Sequence, residues 1–120
     1  MTIFDSFRKA FGWNQRNLQE MATFEGQGVT WDPAPAKAGE IVSIHYRGFL
    51  TDAGSQEIYL HYAFDNWNTP VQTGKMERQA NGDYGIKIQT AGTALNFCFK
   101  DSENHWDNNR GENWNLHLQS

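Results

Sequence analysis

From Glu40 onward the chain alternates apolar and polar residues, and this alternation decides what it can fold into. Val42, Ile44 and Tyr46 share one face of an extended segment, while Ser43, His45 and Arg47 share the other. Ile58, Leu60 and Tyr62 alternate with Tyr59 and His61, and Tyr84, Ile86 and Ile88 alternate with Lys87 and Gln89. Leu95, Phe97 and Phe99 make a further stripe, and Trp114, Leu116 and Leu118 make the last. Turn-forming residues separate them: Asp52-Ala53-Gly54-Ser55, Asn81-Gly82-Asp83 and Ala91-Gly92. Short half-buried strands with turns between them predict an all-β chain, an antiparallel, immunoglobulin-like β-sandwich over residues 27–120.

Residues 1–26 follow a different rule. Ile3, Phe4, Phe7 and Phe11 recur at helical spacing, with Asp5, Ser6, Arg8 and Lys9 on the opposite face. This predicts a short N-terminal amphipathic helix, interrupted near Gly12 and continued by Leu18, Met21 and Ala22 to about residue 24. Gly26 and Gly28 end it, and Asp32-Pro33-Ala34-Pro35 with Gly39 marks a loop. Such a helix suits docking on the sandwich, or pairing through residues 1–24 with a second copy or a protein partner. Membrane contact is the least expected use.

The chain of 120 residues fits one domain that buries roughly two thirds of its unfolded surface, so it needs no disulfide. The single Cys98, between Phe97 and Phe99, reads as a small buried thiol. The net charge of −4, with scattered basic residues, argues against a nucleic-acid surface. No stretch is long and apolar enough to span a membrane. The start at Met1 shows no secretory h-region, so a cytoplasmic location is expected.

Aromatic residues make up 14% of the chain and include five tryptophans. Tyr62, Tyr84, Phe97, Phe99 and Trp114 fall in register with aliphatic residues and belong to the core. Trp67, in Phe64-Asp65-Asn66-Trp67-Asn68-Thr69-Pro70, and Trp106, in Asn104-His105-Trp106-Asp107-Asn108-Asn109, do not. Large rings in polar segments mark a binding surface. An indole offers a flat apolar platform for the C–H face of a pyranose, and Asn, Asp and His serve the rim hydroxyls. His61 lies on the polar face of its strand, six residues before Trp67, and joins the same set.

Two other chemistries draw on the same residue types. Glycoside hydrolysis needs two carboxyl groups about 5–10 Å apart. Asp65, Asp101, Glu103 and Asp107 sit in Asn-rich turns, with no apolar pocket to raise one of them. No catalytic residue is therefore assigned, and the chain reads as a non-enzyme. Asp101, Glu103, Asp107 and Asn109 are oxygen-rich, as calcium requires, but lack the spacing of a calcium loop. The alternative function is thus a structural or adaptor protein, assembled through its N-terminal helix with a calcium-stabilised loop. His45, His61, His105 and His117 lack zinc spacing, so no metal ligand and no cofactor is assigned.

Several of these segments together resemble the family 25 carbohydrate-binding modules and the related modules of starch synthases. The matching pieces are Ile58-Tyr59-Leu60-His61-Tyr62 followed by Trp67, then Leu95-Asn96-Phe97-Cys98-Phe99-Lys100-Asp101, then Trp106-Asp107-Asn108-Asn109 with Gly111, Asn113 and Trp114. The resemblance covers residues 27 to 118, and the Trp-Asp-Asn-Asn segment is its most specific part. It implies a β-sandwich that binds α-1,4-glucans: starch, glycogen and maltooligosaccharides. It also implies a site of His61, Trp67 and Trp106, with Asn108 and Asn109 as hydrogen-bonding neighbours. The helical N-terminus is not part of the family pattern, which makes a free-standing glycogen-associated or adaptor role the expectation.

Overall fold

In the computed structural model, which describes residues 23–24 and 28–120, ten strands and one short helix form two antiparallel sheets. The elements are β1 (Thr23–Phe24), β2 (Val29–Asp32), β3 (Ile41–Tyr46), α1 (Phe49–Asp52), β4 (Ile58–Phe64) and β5 (Gln72–Lys75). They continue as β6 (Glu77–Arg78), β7 (Tyr84–Gln89), β8 (Ala94–Asp101), β9 (Trp106–Asp107) and β10 (Trp114–His117). The first sheet runs β1-β2-β3-β7-β6 and the second β10-β8-β4-β5. β9 pairs with Phe99 and Lys100 of β8, beyond the stretch of β8 that pairs with β10.

The period-two stripes meet between the sheets. Val42, Ile44 and Tyr46 of β3 are fully buried, as are Ile58 and Leu60 of β4 and Leu95, Phe97 and Phe99 of β8. Trp114, Leu116 and Leu118 close one end, and Tyr62 and Ile86 pack partly buried against the cluster. Each large side chain so placed contributes about 1.5–3 kcal/mol. Tyr46 stacks on Phe99 at 4.0 Å between ring centroids, joining the two sheets. Trp114 stacks on Phe97 at 6.0 Å, which confirms its core register.

Thr23 and Phe24 correct the helical reading at its end. They pair with Thr30 and Val29 as edge strand β1, because the outer edge of β2 offers open backbone donors and acceptors. The rest of segment 1–26, including the expected helix over Ile3–Phe11, lies outside the described residues. Gly28 has φ +75, and a Cβ there would sit 1.8 Å from the Arg47 carbonyl oxygen, so no other residue fits beside β3. Among the described residues no helix is long and apolar enough to cross a membrane.

The outer face of the second sheet departs from the simple apolar-in, polar-out pattern. On β8, Asn96 and Cys98 point away from the core yet are only 3% and 5% exposed. Cys98 lies across from His61 of β4, and Lys100 lies across from Tyr59. Thr73 and Lys75 of β5 extend the same two rows. The candidate site is built over this face.

Candidate functional site

Trp67 sits in the turn that follows β4. Asp65, Asn66 and Trp67 have φ values of 54°, 62° and 65°, three consecutive residues in the left-handed region. That conformation costs roughly 1–2 kcal/mol per residue, and tryptophan lacks the short polar side chain that eases it for Asp and Asn. The neighbouring strand supplies the restraint. Asp65 Oδ1 accepts from Thr93 N at 2.7 Å, Thr93 Oγ1 at 3.0 Å and Ala94 N at 3.3 Å. Asn96 Oδ1 accepts from Asn66 N at 2.7 Å and from Trp67 N at 3.3 Å. Asn96 is itself fixed, donating through Nδ2 to Asn115 Oδ1 at 2.7 Å. Gly92 makes room for the carboxylate: a Cβ there would approach Asp65 Oδ2 to 2.3 Å.

Trp106 belongs to β9, not to an irregular loop, and pairs with Lys100. It is 43% exposed. Asp101, buried at the end of β8, ties the intervening hairpin. Its Oδ1 accepts from Glu103 N and His105 N, each at 2.9 Å. Its Oδ2 accepts from Ser55 Oγ at 2.8 Å and faces His105 Nδ1 at 2.9 Å. Burial alone would raise the Asp101 carboxyl, but these donors outweigh it and hold the group far below the usual carboxylate range. The same contact raises His105 above its ordinary value.

His61 stands between the two indoles. Its ring centroid lies 6.2 Å from that of Trp67, tilted by 36°, and 5.1 Å from that of Trp106, nearly perpendicular at 84°. His61 Nδ1 lies 3.0 Å from Thr73 Oγ1, which fixes the ring. Partial burial and the Lys100 charge lower the His61 pKa, keeping the imidazole neutral at neutral pH. Lys100 Nζ sits 5.4 Å from the Trp106 ring centroid. His61 and Trp67, six residues apart, and the distant Trp106 thus form one aromatic surface, half-buried at Trp67 and His61 and open at Trp106.

Asn108 and Asn109 lie in the next turn, and their hydrogen bonds stay within it. Asn108 Oδ1 accepts from Gly111 N at 2.9 Å, and Asn109 Nδ2 donates to the Asn113 carbonyl at 3.0 Å. Asp107, beside Trp106, turns inward and accepts from the Tyr46 hydroxyl at 2.7 Å. Burial raises both partners of that bond, the Tyr46 phenol strongly. Burial, with the nearby Asp107, also pushes the Cys98 thiol up to about 11, a value unsuited to nucleophilic work. The oxygen-rich set Asp101, Glu103, Asp107 and Asn109 does not converge. Among the described residues no three His, Cys, Asp or Glu side chains gather as metal ligands.

Asn96, Thr73 and Lys100 are the members of the site that sequence reasoning left out. Asn96 falls on the outward row of β8, where the alternation already expects a polar residue, so the sequence does not single it out. Comparison with known proteins returns nothing: no family model, no curated protein and no solved structure matches the chain.

Proposed function

We propose that the chain is a non-catalytic carbohydrate-binding module of the family 25 type, on an immunoglobulin-like sandwich. It binds α-1,4-glucans in the cytoplasm by stacking them on Trp67 and Trp106. The observation that carries this reading is the contact of His61 with both indoles, across β4, β9 and the turn after β4. A neutral imidazole suits a neutral polyol, since it donates or accepts towards hydroxyls without a charge to desolvate. The strained backbone at Trp67 supports the same reading, because strain of this kind collects at ligand clamps. The acids Asp65, Asp101 and Asp107 are engaged by backbone and hydroxyl donors, which favours binding over hydrolysis.

Calorimetric titration with maltoheptaose and cellohexaose tests the proposal. Maltoheptaose is expected to bind in the micromolar to millimolar range, roughly 4–8 kcal/mol, with cellohexaose clearly weaker. Trp67→Ala and Trp106→Ala should each weaken binding by about tenfold or more, about 1.4 kcal/mol. Unchanged binding in both variants sinks the site, and a preference for cellohexaose sinks the α-glucan.

A further inference from the structure

One wall of the aromatic surface opens onto a second feature. A groove of about 580 Å³ runs between α1 with its following loop and the β8–β9 hairpin. That volume falls within the roughly 300–1,000 Å³ of ordinary ligand clefts. Trp106 lines it, as do Phe49, Ser55, Glu57, Glu103 and His105. Phe49 is 63% exposed, the most open of the large apolar side chains among the described residues, and the packing of the sandwich does not require it.

Two carboxylates, Asp101 buried and Asp107 half-buried, tie the walls of the groove together. Asp107 accepts from the Tyr46 hydroxyl, which in turn accepts from Leu50 N at 3.0 Å. The Phe49 backbone amide stabilises the same carboxylate. Tyr46 thus links the half-buried carboxylate beside Trp106 to α1, the helix that carries Phe49. Asp101 stitches the floor, joining Ser55 on the α1 side to His105 on the hairpin side. Two aromatic side chains, Phe49 and Trp106, thus share a groove whose other walls carry hydroxyl, carboxylate and imidazole groups. Apolar faces with hydrogen-bonding rims are what a glucosyl unit needs.

We infer that this groove is an additional subsite: an α-glucan chain bound on Trp67 and Trp106 continues past Trp106 and places a further glucosyl unit on Phe49. The inference rests on the glucan reading of the aromatic surface. Continuity through Trp106, which lines the groove and contacts His61, selects the same chain as the occupant.

Titrating maltotriose and maltoheptaose into wild type and Phe49→Ala tests it. Phe49 is exposed, so the substitution leaves the fold intact, and matching thermal melts establish this. Wild type is expected to bind maltoheptaose about tenfold more tightly than maltotriose, and Phe49→Ala should lose most of that gain while binding maltotriose as before. Phe49→Trp should keep the gain. A wild type with no length preference overturns the subsite, as does a Phe49→Ala that keeps the full gain. Failure of wild type to bind either sugar overturns the glucan reading itself, and the subsite with it.

Discussion

At the scale of the residue, the site depends on a tryptophan held in a backbone conformation it avoids. The strain at Trp67 is measurable without any ligand. Trp67→Gly relieves the positive φ and Trp67→Ala does not, although both remove the ring. Chemical denaturation should find the glycine variant more stable than the alanine variant by about 1 kcal/mol or more. The reverse order would mean the turn is not strained at this position. Asn96 is the complementary case, a buried acceptor shared by two amides of the turn. Asn96→Leu keeps the branched shape but removes that acceptor, and is expected to cost about 1–3 kcal/mol of stability. It should also weaken maltoheptaose binding without touching either indole. Retention of full affinity in that variant would show that the turn finds its shape unaided. The placement of Trp67 in a turn and the exposure of Trp106 were legible in the sequence because both rings sit among Asp and Asn. The role of Asn96 was not, because it follows from a register that only the paired strands define.

At the scale of the element, the strands that the alternation revealed are those with an apolar stripe buried against the core: β3, β4, β7, β8 and β10. Those it missed are short or edge-exposed. Val29 and Trp31 alternate with Thr30 and Asp32 but have no third apolar residue to extend the stripe, and Gln72-Thr73-Gly74-Lys75 has no apolar residue to alternate. Trp106 read as a loop residue because β9 is two residues long and exists only through β8. α1 escaped notice for a similar reason, as four residues cannot display a helical stripe. The β8–β9 hairpin also carries a pH dependence. The Asp101 carboxyl is lowered from 3.8, so its contribution is present above that value and lost as the pH falls below it. His105 is raised from 6.5, so its contribution is full below that value and lost as the pH rises through its higher one. The hairpin should be firmest between these limits, as read by amide exchange at His105 and Trp106. Asp101→Asn should return the His105 titration, followed by NMR, to about its ordinary 6.5. A His105 that still titrates high in that variant would assign the shift elsewhere.

At the scale of the whole molecule, the two sheets divide the work. The second sheet carries the aromatic surface on its outer face, and the first supplies the opposing half of the core. Tyr46 crosses between them, stacking on Phe99 and holding Asp107. Maltoheptaose at about a hundred times its dissociation constant should stabilise the fold by about 2.7 kcal/mol. Hydrogen exchange should show the added protection over β4, β8, β9 and the turn after β4, and little over β2, β3 and β7. Protection spread evenly over both sheets would place the ligand elsewhere. The same division governs how the protein is to be handled. Lys100 and Lys75 stand on the side of the aromatic surface, whereas Lys87 stands on the outer face of β7 in the other sheet. Amine-reactive coupling to beads or dyes will therefore blind a fraction of the molecules. A cysteine placed at Lys87, with Cys98 buried and slow to react, gives immobilised protein with the tryptophans facing the solution.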